Sequence, residues 1–280
     1  MSEMEGSVNG SANGASSGER LRLGGMALRN GLLIHGPTSW AVAARSAAGD
    51  VEVASGPKPD FGGNRFAAVP LLRGPLRLAE AFAVIPLARR SLPSARLPFE
   101  DPRVLAGAVG ASALSNLVRR GEPGPAREGV AATLGLLPAV IALNGSELAA
   151  YHGVEHKAIA AYEQGIDDPA GVPKEHDRCG SNLIAPLLAF SIAGQVIIER
   201  LIENPGRLAR GASALASLSL AVETFVYAER NPDSAFGRAL HRSGYEIQRV
   251  LATREPTPEQ LEVGVAALDA VLDEERPGTG

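Results

Sequence analysis

Hydrophobic and polar positions follow two periods along the chain. Over 20–69 the pattern is short and alternating. Ser39-Trp40-Ala41-Val42-Ala43-Ala44-Arg45 reads as a strand, Ala48-Gly49-Asp50 as a turn and Val51-Glu52-Val53-Ala54 as a second strand, together a hairpin. Gly24-Gly25 and Gly36-Pro37 punctuate the residues before it. Over 71–90 the period lengthens. Leu72, Leu76, Leu78, Phe82, Val84 and Leu87 are interleaved with Arg73, Arg77, Glu80, Arg89 and Arg90. This predicts an amphipathic helix with a basic end, which packs on its own domain or lies on a membrane surface. Pro93, Pro98 and Pro102 mark a connector over 91–102. Helices are predicted over 103–119, 129–143, 146–164, 182–203 and 207–229, with Pro/Gly-rich linkers at 119–127 and 166–177. Thr257-Pro258-Glu259-Gln260 forms a capping box that opens a last helix, with Leu261, Val265, Leu268 and Leu272 on one face. The prediction is an α+β, mostly helical protein: a β-rich N-terminal region with an amphipathic helix (20–90), then a helical bundle (91–280). Residues 1–19, rich in Ser, Gly, Asn and Glu, read as a disordered tail. They lack the basic segment and apolar run of a signal peptide.

The apolar segments raise the question of a membrane. Runs free of Asp, Glu, Lys and Arg cover 18 residues at 129–146, 20 at 179–198, 15 at 104–118 and 12 at 211–222. A spanning helix needs roughly 20 apolar residues, with about 17 as a lower limit. Two runs reach that range and two fall short. All four contain Gly, Ala, Ser or Asn, so hydropathy alone leaves both a membrane bundle and a buried cytoplasmic bundle open.

Composition narrows the function. The 280 residues carry 27 Lys+Arg against 31 Asp+Glu, a net charge of −4, which argues against nucleic-acid binding by bulk positive charge. Aromatics are only 4%, so the core is aliphatic. The single cysteine excludes an intrachain disulfide and a Cys-only zinc site.

The candidate chemistry lies in Tyr151-His152-Gly153-Val154-Glu155-His156-Lys157, on a helix that Ser146 can cap and Gly165 can close. His152 and His156, four apart, sit one turn apart on one face, the spacing with which two imidazoles grip one ion. Glu155 borders that face. His-x-x-Glu-His is the inverted zincin pattern, two metal ligands and a general base. Gly153 costs roughly 1 kcal/mol in a helix interior, which suggests close approach of another backbone or of a ligand. Two imidazoles do not complete a zinc site. Glu163 shares the stripe, but about 10 Å along the axis. Two regions offer the rest. In Glu175-His176-Asp177-Arg178-Cys179-Gly180-Ser181, His176 and Cys179 are candidate ligands. Cys179, before a helix, is expected to have a lowered pKa, as ligand or as nucleophile. Glu223, the one carboxylate inside an apolar helix, must be paired or metal-bound and is the favoured third ligand. His35 and His241 read as structural and solvated.

Tyr151-His152-Gly153-Val154-Glu155-His156-Lys157 followed by Arg178-Cys179-Gly180-Ser181 resembles the YqhQ-like family, domain of unknown function 1385, bacterial proteins regarded as metal-dependent enzymes. Gly24-Gly25-Met26-Ala27-Leu28, Gly31 to Pro37, Pro70-Leu71-Leu72-Arg73-Gly74 and Thr253-Arg254-Glu255-Pro256 resemble further landmarks of that family, so the likeness extends over most of 23–270. The chain departs from it at His35, where the family usually carries Arg, and in its shorter, Ala/Gly-rich apolar segments. The resemblance implies several membrane helices flanking His-x-x-Glu-His, hence a multi-pass protein of the bacterial cytoplasmic membrane, and a Glu at the position of Glu223. The expected function is a metal-dependent hydrolase of unknown substrate, with a divalent metal, zinc first, held by His152 and His156, completed by Glu223, Cys179 or His176, and Glu155 as base. The alternatives are a membrane scaffold with a structural metal site, and metal-free thiol chemistry at Cys179.

Overall fold

The computed structural model describes residues 20–62, 65–66 and 68–276; the tail predicted over 1–19 lies outside them. Four strands, β1 (Gly24–Ala27), β2 (Gly31–His35), β3 (Ser39–Arg45) and β4 (Val51–Pro57), form an antiparallel meander in chain order. The predicted hairpin is β3–β4, with Arg45 opposite Val51 and Ser39 opposite Pro57. The Gly-punctuated residues before it are themselves strands.

The two-residue period of the strands decides which helix each face meets. Leu32, Ile34, Ala41 and Ala43 point to one face, where they pack with Leu148, Tyr151, Val154 and Ile159 of α5 (Glu147–Gln164) and Val263, Ala267 and Val271 of α9 (Pro258–Glu274). Leu33, Trp40, Val42 and Ala44 point to the other, against Val84 and Ala88 of α1 (Arg73–Ser91) and Leu92, Ala95 and Leu97 beyond it. A sheet covered on both faces needs small residues where the layers meet, hence the alanines of β3. The end of α9 is tied to the β2–β3 turn: the Glu275 carboxylate accepts from the Thr38 and Ser39 amides, each at 2.8 Å, and from both hydroxyls. Burial opposes the charge there, but these four donors outweigh it and the Glu275 carboxyl titrates below its ordinary value.

The rest is helical. α2 (Pro102–Val118), α3 (Pro125–Leu134) and α4 (Leu137–Leu143) form one group, α6 (Ile184–Leu201) and α7 (Arg207–Arg230) a hairpin, and α8 (Ala235–Ile247) returns the chain toward α9. The predicted helix over 129–143 is divided between α3 and α4, just before Pro138. α8, which the sequence pattern did not single out, runs into a π turn over Gln248–Ala252. The capping box at Thr257 and Gln260 is formed.

Among the described residues, three segments are long and apolar enough to cross a membrane: Pro125–Leu143 (19 residues), Gly180–Leu201 (22) and Arg207–Arg230 (24). The third was expected to be too short, because Glu223 interrupts its uncharged run. It qualifies because the helix continues on both sides of a single carboxylate, and Arg73 of α1 pairs that carboxylate. At the far end of α6 from the Cys179 loop, Arg127 joins Glu128 (2.9 Å) and Glu199 in one ion-pair network, and Arg119 reaches Glu128 at 3.1 Å. It fastens α2, α3 and α6 together where a buried charge must have a partner.

Candidate metal centre

α5 begins where Ser146 accepts the Ala149 amide and ends at Gly165, whose φ of 71° suits a residue without Cβ. The helix is buried from Leu148 to Ala161 except at His152, so its polar residues project into the interior. Each imidazole is aimed by a backbone carbonyl. His152 Nδ1 donates to Ala252 O at 2.9 Å, and His156 Nδ1 donates to Lys174 O at 2.7 Å. A carbonyl only accepts, so Nδ1 carries the proton on both rings and both Nε2 atoms present a lone pair. Burial, with His152 alongside, holds His156 at about 2, so it stays neutral.

Gly153 explains how Ala252 O reaches His152. A Cβ on Gly153 would stand 2.3 Å from Arg254 O. Its absence lets 252–256 lie on α5, where the Arg254 amide donates to Ala149 O at 2.8 Å. The π turn delivers this segment: the Thr253 amide and hydroxyl both donate to Gln248 O, at 3.0 and 2.9 Å. The backbone approach expected from Gly153 is therefore present, through Arg254.

The third donor is Cys179. Its Sγ lies 3.5 Å from His152 Nε2, and one donor atom from each of His152, His156 and Cys179 lies within 4.8 Å of the others. The loop that carries it is pinned by Gln248, buried to 1% exposure. Gln248 Oε1 accepts from the His176 amide at 2.7 Å, and Nε2 donates to His176 O and to Ser181 Oγ at 3.1 and 2.9 Å. Burial pushes the Cys179 thiol up rather than down. This corrects the expected lowering: the short turn Gly180–Leu183 that follows does give its Ser181 amide to Sγ, but that is too little to offset desolvation.

The other predicted residues fall in three places. Glu155 is beside the group, buried against β1: a Cβ on Gly25 would stand 2.8 Å from its carboxylate. Burial pushes the Glu155 carboxyl up to about 7. His176 is adjacent, its ring 5.7 Å from that of His156, but its Nε2 faces Glu163 at 3.2 Å. Glu163, which also pairs with Arg178, thus anchors the loop from the C-terminal end of α5. Glu223 is elsewhere. It accepts from Arg73 and from the amide of Leu71, whose φ of 68° is strained for a residue with a Cβ. The favoured third ligand is thus a latch between α7 and the start of α1, and Cys179 stands in its place among the converging donors. Lys157, buried on the same helix as the histidines, reaches Glu255 at 2.7 Å and the carbonyl of Val172 at 2.6 Å.

The group opens on a cavity of about 590 Å³. His152, Glu155, His156, His176 and Cys179 line one part. Leu23, Met26, Leu33, Leu78, Phe82 and Leu143 are among those that line the rest. His35 also faces it, held at about 4 by burial and by Lys58, whose ammonium is 3.2 Å away.

No curated protein and no solved structure matches the chain. Residues 145–274, which contain His152, Glu155, His156, Cys179, Gln248 and the carbonyls that aim the imidazoles, match the family described as a protein of unknown function, DUF1385.

Proposed function

We propose that this chain is a metal-dependent hydrolase of the kind the YqhQ-like resemblance implies, set in the bacterial cytoplasmic membrane as a multi-pass protein. His152, His156 and Cys179 hold the ion, and Glu155 is the general base. One observation carries the proposal: both imidazoles are fixed by carbonyls in the tautomer that leaves Nε2 free, and a thiol meets them there. Two nitrogens and one sulfur suit zinc better than magnesium or calcium, which prefer oxygen. Three protein donors beside a cavity support an open, catalytic site over the closed four-donor site of a structural scaffold. Among the described residues no fourth protein donor joins the three.

When bound, the ion supplies Lewis acidity to the scissile group. The protein's own part is positioning and proton transfer. Ala252 O and Lys174 O keep the imidazoles oriented, and Gln248 keeps the Cys179 loop in reach. Glu155, one residue before His156 and facing the same cavity, takes the proton from the attacking water and returns it to the leaving group. Cobalt substitution tests the donor set. Cobalt-loaded wild type should show a thiolate-to-cobalt absorption band that Cys179→Ser lacks, and an unchanged spectrum in the variant would contradict the assignment. For the base, Glu155→Gln should keep its zinc and lose about 10²–10⁴-fold in hydrolysis of p-nitrophenyl acetate. Equal hydrolysis by wild type and variant would remove Glu155 from that role.

A further inference from the structure

Resting on the hydrolase proposal, we infer that the substrate is an amphiphile: a polar, hydrolysable head at the His152–His156–Cys179 group, and a long hydrocarbon chain in the apolar part of the adjoining cavity. The division of the cavity carries the argument. The donors of the candidate metal group are gathered on α5 and the Cys179 loop. Apart from His35, the wall that comes from β1, β2, α1 and α4 is apolar. At about 590 Å³ the space falls in the range that takes a whole ligand of intermediate size. A small hydrophilic substrate leaves most of that wall without a partner, whereas a hydrocarbon chain covers it.

The position of the cavity supplies the source. Ala139, Ala142 and Leu143 belong to Pro125–Leu143, and Gly180 and Ser181 open Gly180–Leu201, two of the three segments of membrane-spanning length. The cavity therefore lies where these segments meet the sheet layer. Phe82 of α1 lines it while remaining 58% exposed, so the wall continues to the outer surface. An amphiphile leaving a bilayer keeps its chain in apolar surroundings along this route, with its head toward the imidazoles.

Zinc-loaded full-length protein in detergent micelles, titrated with acetohydroxamate, octanohydroxamate and dodecanohydroxamate, tests the inference. The hydroxamate head needs the metal, and the chain reports the cavity. Affinity should climb with chain length, by at most about fourfold per methylene. Micelle partition produces a climb of its own, so the deciding comparison is with Ala142→Phe and, from a different helix, Ala81→Phe, both placed in the cavity wall. The ratio of dodecano- to acetohydroxamate affinity should fall at least tenfold in the folded variants. An unchanged ratio in both, or affinity independent of length in wild type, overturns the amphiphile while leaving the metal site standing. Wild type that takes up no zinc and binds no hydroxamate of any length overturns both.

Discussion

Two helices of equal length show how differently this chain treats apolar sequence. α5 carries His152, Glu155, His156 and Lys157, yet 13 of its 18 residues are buried. α6 carries only Glu199 and Arg200 as charges among 18 residues, yet Pro186 alone is buried. The polar helix is inside and the apolar helix is outside. In water that arrangement is backwards, because apolar burial drives folding. The bilayer proposed above resolves it. α6 and α7 need no protein cover where lipid provides it, while α5 is enclosed by the sheet, α9 and the 252–256 segment because its polar side chains need built surroundings. On the membrane placement proposed above, the two regions answer to different solvents, and the candidate site sits where they join.

Substitutions can break this contrast. The largest effect is expected at an outward apolar position. Leu215, near the middle of α7, is 55% exposed. Leu215→Asp should impair membrane insertion by about 2.5–3.5 kcal/mol, read as the fraction of protein recovered in membranes. Unchanged recovery would place α7 in water. Next is Gly153→Ala inside α5. The new methyl meets Arg254 O, a backbone atom, so 252–256 must move. The expected cost is about 1–3 kcal/mol in thermal unfolding, with zinc affinity about 10–100-fold weaker as His152 loses Ala252 O. Unaltered affinity would deny the segment its orienting role. Glu223→Gln separates the regions from the other side: it should destabilise by about 1–3 kcal/mol by leaving Arg73 without its carboxylate, and leave zinc content unchanged. Loss of zinc would restore Glu223 to the site.

The smallest effect is a pH dependence in the sheet layer. His35 is held at about 4 against an ordinary 6.5. A lowered value means the unfolded chain takes up the proton first. The stability that neutral His35 contributes is complete above 6.5 and is lost as pH falls through about 4. His35→Asn should flatten the unfolding midpoint over that window, and an identical slope would show that His35 is not the group responsible.

The legibility of the chain differed between the same two regions. The β3–β4 hairpin, the Ser146 and Gly165 ends of α5 and the capping box of α9 are local chemistry and could be read directly. So could the pairing of His152 with His156, because it is set by helical spacing. What lay beyond local pattern was the third donor. Cys179 and Glu223 were both credible by residue type, and only the fold shows that Arg73 and the Leu71 amide occupy Glu223. The carbonyls of Ala252 and Lys174 leave no trace in sequence, since every residue has one. Gln248 follows α8, a helix that the sequence pattern did not single out. Gly153 was the one signal of these contacts, a glycine where a helix prefers alanine. The lowered pKa expected of Cys179 failed because proximity to a helical turn matters less than burial around the sulfur.

The most direct test of the account is elemental analysis of the purified full-length protein beside the His152→Ala/His156→Ala double variant. The account predicts about one equivalent of zinc in wild type and none in the variant. Wild type free of metal, or a folded variant that retains it, would contradict the site on which everything else is built.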